Sequence, residues 1–540
     1  MRYKMKKTVV FLILSVAGIS SGFAQFFNSP ETQKLGIVTF AIHNFYVDSV
    51  KEKDLVENAI IGMLEKLDPH SIYIPKDEVQ KMNEPLDGSF EGIGIQFQML
   101  EDTMLVIQTF SGGPSERVGI MAGDRIVAVN DSAIAGVKMP SSDIQKRLRG
   151  PKGTLVRVTI LRRGVSELIE FKITRDKIPI YSLDASYMVS PEIGYIKLNK
   201  FSATTMEEYT TAFNKLKKQG MKSLILDLQS NGGGYLGAAV ELADEFLEKG
   251  KLIVYTEGNA QPRQLEMSTS TGDFEKGNLV ILIDEGSASA SEIVSGAVQD
   301  WDRGVLVGRR TFGKGLVQKA IPLPDESQIR LTVSRYYTPV GRNIQRPYNA
   351  GNIQYKREVI ERYNKGELHH ADSIMFPDSL KFTTKIKGRT VYGGGGIMPD
   401  IFVPIDTTLY TDYHRNLIAK GVMNKFALNY VEANRKDIAK KYPKKKDNSF
   451  ANFNADFQVT DDFLQKLVDA GTQEKVEYDE EQFLKSKHLL SVQLKAVIVS
   501  DIWGYNEYYQ IMNQENELYQ EAVRILQDPQ LYNKILENRK

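Results

Sequence analysis

Three serines, a lysine and a run of glycines are the residues of this chain whose types and spacing could do chemistry. Ser287, Ser289 and Ser291 follow the apolar run 279–283, which reads as a buried strand. Apolar residues then recur at Ala290, Ile293, Val294, Ala297, Val298 and Trp301, which is helical spacing. One hydroxyl therefore lies where a buried strand turns into a helix, near N–H groups the helix leaves unsatisfied. Lys314, in T-F-G-K-G, sits on a glycine-rich turn after a second apolar strand at 305–307. A free lysine titrates near about 10.4 and is a poor base at neutral pH, but burial lowers that value. Phe312, Leu316 and Val317 offer apolar surroundings, and the Gln318 amide could orient the amine. The layout is that of a serine nucleophile with a lysine general base. Residues 224–234, L-I-L-D-L-Q-S-N-G-G-G, run from a strand through three glycines into a helix. Glycine N–H groups at such a start form an anion-binding concavity, which in acyl transfer serves as an oxyanion hole.

Each feature also has a plainer meaning. Spacing does not choose among the three serines, and serines at helix starts commonly act as caps. A glycine run is more often a tight strand–helix turn. Residues 308–315, G-R-R-T-F-G-K-G, have the glycine–lysine spacing of a nucleotide-binding P-loop, but Gly315 stands where that motif needs Ser or Thr for magnesium. The six histidines, His43, His70, His369, His370, His414 and His488, all lie outside the serine, lysine and glycine segments. A Ser-His-Asp triad would need one of them to fold back from a distance. His369-His370 with Asp372 is a metal candidate that reads better as a polar loop.

The elements that must position these residues belong to a chain too long for one core. Charged residues make up 25% and the net charge is +1, which predicts no nucleic-acid partner. The six lysines of 436–446 read as a solvated helix face and linker. Arg2, Lys4, Lys6 and Lys7, the apolar stretch 9–19 and small residues up to Ala24 read as an export signal cut before Gln25. Its apolar stretch is too short to span a bilayer. The reading is therefore an exported protein, periplasmic or otherwise outside the cytoplasm. The absence of cysteine excludes a lipoprotein anchor, disulfides, a thiol nucleophile and a cysteine-based zinc site.

Apolar periodicity predicts a helix over 31–47 and a second that starts at Asp54 through a capping box with Glu57. Short strands at 93–99, 104–109, 125–129, 155–161 and 168–173, with helices near 115–118 and 141–148, have the size of a peptide-binding module. From about 181 the pattern is α/β: strands at 193–198, 223–228, 279–283 and 305–307 alternate with helices at 206–218, 235–247 and 290–301. Residues 349–387 read as a polar, irregular insertion, 396–404 as a strand returning to the core, and the rest as charged helices, amphipathic near 461–470 and 481–503.

S-A-S-A-S-E-I followed by T-F-G-K-G-L-V-Q, with L-D-L-Q-S-N-G-G-G upstream, resembles the carboxyl-terminal processing (tail-specific) serine proteases. Residues 91–95 (E-G-I-G-I) resemble a PDZ carboxylate-binding loop, 114–130 a PDZ helix and strand, and L-D-P-H-S at 67–71 the family's helical lead-in. The resemblance covers roughly 30–345 and 394–404. It implies an α/β multidomain protein with a ClpP/crotonase-like protease core, an inserted PDZ domain, an N-terminal helical segment and a C-terminal helical extension. The expected boundaries are a signal peptide at 1–24, a helical region at 25–84, PDZ at 85–178, the protease core at 179–405 with its insertion, and a helical domain at 406–540. The resemblance further implies Ser289 as nucleophile, Lys314 as general base and Gln318 orienting it, with the N–H groups of Gly232, Gly233 and Ala290 as oxyanion hole. Gly92, Ile93, Gly94 and Ile95 would bind the substrate's carboxyl terminus, and Arg149, in R-G-P-K-G, would couple that capture to the active site. No metal or cofactor is implied. The partners are the C-terminal tails of unfolded or exported proteins, together with a homo-oligomer through helical termini. The competing reading is a non-catalytic peptide-binding scaffold that kept the fold.

Overall fold

The computed structural model describes residues 29–100, 102–110, 112–270, 272–444 and 448–537. The export signal and two of the clustered lysines, Lys445 and Lys446, lie outside them. The described chain divides into two compact units.

The larger unit holds the described residues within 80–317, 333–347 and 356–537. Its centre is a six-stranded sheet of β1 (Leu183–Met188), β2 (Ile193–Leu198), β3 (Ser223–Asp227), β4 (Asn278–Ile283), β5 (Val305–Gly308) and β6 (Ile401–Phe402), in that spatial order. β1 is antiparallel to β2, and every other pairing is parallel. Parallel strands covered on both faces read as continuous apolar runs, as β2 to β5 do. Leu224, Leu226, Leu279, Ile281 and Ile283 point to one face, against α1 (Thr205–Lys218), α2 (Leu236–Asp244) and α3 (Ala290–Asp300). Ile225, Val280, Leu282, Val305 and Val307 point to the other.

That second face is covered by the last two helices, Glu517–Gln527 and Pro529–Glu537, through Leu518, Ala522, Ile525, Leu526, Tyr532 and Ile535. This last helical pair therefore completes the α/β core. Upstream of it, Asp412–Ala419, Val422–Lys441, Ser449–Asp456, Asp461–Gln473 and Glu480–Ile502 form a helical bundle with its own core.

The small module has a sheet in the order Ile95–Leu100, Thr103–Thr109, Arg125–Val129, Leu155–Leu161, Ile169–Thr174. Helices Pro114–Arg117 and Ser141–Leu148 accompany it, the latter packing Ile144 and Leu148 onto Val106, Val156 and Val158. Leu428 of the bundle closes a second contact with Leu100, Leu105 and Ile107.

Two expectations are corrected. The insertion is largely ordered and carries the helix α4 (Asn352–Asn364), whose role is taken up below. The second N-terminal helix begins at Glu52 with no side-chain cap, so Asp54 lies in its first turn. The hairpin of Leu252–Gly258 with Gln261–Met267 and the long strand Gln328–Tyr337 were not read from the sequence.

Of the described residues, the smaller unit holds 29–79, 318–332 and 348–355. Helices Pro30–Phe45 and Glu52–Glu65 lead into a strand, Ile72–Ile74, that pairs antiparallel with Gln328, Ile329 and Arg330. Asp68 ties the intervening turn by accepting from His70 N (2.8 Å), Ser71 N (2.9 Å) and Ser71 Oγ (2.6 Å).

Candidate active site

The three serines are separated by burial and bonding. Ser287 Oγ donates to Leu228 O (2.8 Å) and Ser291 Oγ to Asn231 O (2.8 Å), and both residues are fully buried. Ser289 is half-buried and stands immediately before α3 with φ +56° and ψ −110°, outside the regions L-residues normally occupy. Backbone of this kind costs on the order of 1–3 kcal/mol and persists only where its surroundings enforce it. The enforcement is visible. Phe312 N donates to Ser287 O (2.9 Å) and Ala288 N to Asn231 O (2.9 Å). Any side chain at Gly233 would collide with Ala288 O, Ser289 Cβ and Ala290 N, so the glycine turn lies directly on the serine turn.

The Lys314 loop is held to the same turn by Glu292, a residue the motif reading passed over. Its buried carboxylate accepts from Ser289 N (2.8 Å), Lys314 N (2.9 Å), Gly313 N (2.7 Å) and Thr311 Oγ1 (2.5 Å). Burial raises its pKa, and these four donors act in the opposite direction. Ser289-Ala-Ser-Glu292 is a capping-box pattern, the signal that could have found it. Tyr336 adds a second tie, its buried hydroxyl donating toward Ser289 O (3.1 Å) and Lys314 O. Gly313 has φ +85°, and a side chain there would meet the Gly395–Gly396 backbone. Residues 311–315 are irregular and lead into a strand, Leu316–Pro322, where a phosphate cradle would need a helix. That geometry removes the P-loop alternative.

In the glycine turn, Gly233 N–H is spent on Asn231 Oδ1 (2.9 Å), while Gly232 is exposed. Gln318 falls in the smaller unit, where its Nε2 donates to Thr332 Oγ1 (3.3 Å); Thr332 Oγ1 in turn donates to Asp68 Oδ1 (3.1 Å).

In the small module, Ile95–Leu100 is an edge strand. Ile93 O accepts from Ser115 N (3.0 Å) and Ser115 Oγ (2.7 Å), which fixes the preceding loop. Gly94 has φ +73°, and a side chain there would strike Ile178. Arg149 pairs with Glu84 (2.5 Å) and lies over the Phe90 ring (4.5 Å). No group of three or more His, Cys, Asp or Glu side chains is gathered for a metal among the described residues.

An α/β core presenting a strained serine beside a lysine loop, with an attached PDZ module, defines a serine-type peptidase. The profile of peptidase family S41 matches residues 192–354, and that of the PDZ domain 92–173. An "activating protease CtpB N-terminal domain" profile matches 17–78, and a family of unknown function matches 413–504. A carboxy-terminal-processing protease of Bartonella bacilliformis is 35% identical over 69% of this chain and 84% of that protein. The carboxy-terminal processing protease CtpB of Bacillus subtilis is 32% identical over 62% and 72%. A solved structure, the photosystem II D1 C-terminal processing protease, is 29% identical over 59% and 91%, with a TM-score of 0.34. The chain belongs to the carboxy-terminal processing proteases of family S41.

Proposed function

We propose that this chain is an exported endopeptidase that recognises the C-terminal tail of its substrates and cleaves them with a Ser289–Lys314 dyad. The observation that carries the reading is the junction in which one buried carboxylate, Glu292, binds the backbone of both residues while Ser289 holds a strained conformation. Neutral Lys314 takes the proton of Ser289 Oγ, and the oxygen attacks the scissile carbonyl. The developing oxyanion is received by Ala290 N–H and Gly232 N–H, since Gly233 N–H is already engaged by Asn231. Collapse expels the amine, which takes up the proton held on Lys314, and water then releases the acyl group by the reverse sequence.

The tail adds as a strand to the open edge of Ile95–Leu100, and backbone at Gly92–Ile95 receives its carboxylate. Arg149 couples capture to cleavage through Glu84. The helix carrying Glu84, Lys76–Asp87, also places Asp87 on the hydroxyl of Tyr235 (3.1 Å), which directly follows the glycine turn. The test is cleavage of two matched unfolded substrates, one ending in apolar residues and one in charged residues. Wild type is expected to cleave the apolar-tailed substrate faster, and Arg149→Ala to lose the preference. Equal rates on both tails with wild type would remove tail recognition, and binding without turnover would favour the scaffold reading.

Export rests on the first 24 residues. Among the described residues no helix is long and apolar enough to cross a membrane. Self-association is supported by helix Pro30–Phe45, which buries none of its residues and exposes Leu35, Ile37, Val38 and Phe40. Protein recovered from outside the cytoplasm is expected to begin at Gln25 by N-terminal sequencing and to sediment as more than a monomer. An uncut terminus or a monomer would refute the respective proposal.

A further inference from the structure

The loop that carries Lys314 has no regular structure of its own from Thr311 to Gly315. Fixing irregular backbone costs about 1–2 kcal/mol per residue in conformational entropy, so a general base there needs anchors from outside. Glu292 supplies them on the side of the serine turn. On another side they come from the insertion. Arg362 of α4 is 1% exposed; its Nη1 donates to Thr311 O (2.8 Å), its Nη2 to Phe312 O (3.3 Å) and its Nε to Glu358 Oε1 (2.7 Å), one helical turn back. Glu358 also pairs with Arg346, whose guanidinium lies 3.9 Å from the centre of the Phe312 ring and whose backbone N–H donates to Gly313 O (3.0 Å). Arg310, at the loop's entry, reaches Glu358 (3.7 Å) and donates to Gly395 O (2.8 Å). Two consecutive loop carbonyls, of Thr311 and Phe312, are therefore held by a guanidinium that Glu358 fixes, and the next, of Gly313, by the backbone of a second arginine that Glu358 binds. Burial pushes the Glu358 carboxyl up, yet Arg362, Arg346 and Arg310 together outweigh it and keep the group below its ordinary value, so it stays charged.

We propose that α4 of the insertion is a positioning device for the catalytic-lysine loop, with Arg362 and Glu358 as the residues that hold residues 311–313, and through them Lys314, in place against Ser289. The inference rests on Lys314 as general base. A misplacement of about 1 Å at reacting groups can cost about a hundred-fold in rate. A planar guanidinium can serve two carbonyls and a carboxylate together, whereas a lysine brings the charge without that fork.

The test measures kcat and KM on a peptide with an apolar tail for wild type, Lys314→Ala, Arg362→Lys and Arg389→Lys. Arg389 is a control of similar burial whose guanidinium bonds Asp302, Asp400 and Gln299 O and no residue of 311–315. Arg362→Lys is expected to lower kcat about a hundred-fold with KM unchanged. Arg389→Lys is expected to lose thermal stability to a similar degree and keep its kcat. Should Arg362→Lys fail to fold, Glu358→Asp withdraws the carboxylate by one methylene and is expected to show the same split. Turnover of the α4 variants at the wild-type rate, or an equal fall of kcat in both arginine variants, overturns the positioning role while an inactive Lys314→Ala leaves the dyad standing. Wild-type turnover by Lys314→Ala overturns both.

Discussion

Ser289→Ala and Lys314→Ala are each expected to lower kcat by on the order of a million-fold, and the double variant to be no worse than either single one. Groups that transfer one proton between them act as a unit. Once the hydroxyl is gone the amine has nothing to deprotonate, and once the amine is gone the hydroxyl is an unactivated alcohol. Single and double variants assayed on one apolar-tailed peptide provide the cycle, and calorimetric binding of that peptide to all of them provides the control. Binding is expected to persist, because the edge strand Ile95–Leu100 belongs to a separate sheet with its own core. Additive losses would show that the two residues act independently, and a Lys314→Ala variant that turns over like wild type would end the dyad reading.

Glu292→Gln is expected to damage both stability and activity despite its near-identical shape. Glu292 Oε1 accepts from Thr311 Oγ1 and Gly313 N, and Oε2 from Ser289 N and Lys314 N. An amide replaces one of these oxygens with a donor: turned to Ser289 N and Lys314 N it meets two backbone donors, and turned the other way it leaves Gly313 N and its own second N–H without an acceptor even if the Thr311 hydroxyl rotates to accept. A buried donor left without an acceptor costs about 1–3 kcal/mol, so two of them predict a loss of about 2–6 kcal/mol. The same change releases the strained Ser289 turn from the lysine loop, with an expected fall in kcat of at least about a hundred-fold. Urea unfolding and kcat together check this, with KM for the tailed peptide expected to hold. A Glu292→Gln variant as stable and as active as wild type would show that the four contacts carry nothing.

The elements that carry the site were legible in the sequence because their signals are local. Apolar runs bounded by turns marked β2 to β5, and 3.6-residue spacing marked α1 and α3, since burial on a strand or a helix repeats over a few residues. The triple glycine and T-F-G-K-G marked turns for the same reason: tolerance of positive φ, which Gly233 and Gly313 use, is a property of the residue itself. The missed elements lacked such signals. Residues 252–267 form a hairpin and 328–337 a strand inside its sheet, both partly exposed and of mixed composition, and α4 has a polar sequence whose apolar Ile353 and Ile360 are exposed.

By itself, the sequence determined that a serine sits at a strand-to-helix turn, that a lysine follows on a second turn, and which relatives share that order. Tertiary structure alone decided how the residues are placed. It buried Ser287 and Ser291 and left Ser289 in the strained position, and it turned Gly233 N–H inward onto Asn231. It also set the last two helices against the open face of the sheet. The physical reason lies in sequence separation. Glu292 meets Lys314 across 22 residues and Arg362 meets Thr311 across 51, so neither pair has a period or spacing that a linear pattern could record. Such contacts arise only when packed strands bring their C-terminal ends together, which places the loops that follow β3, β4 and β5 side by side.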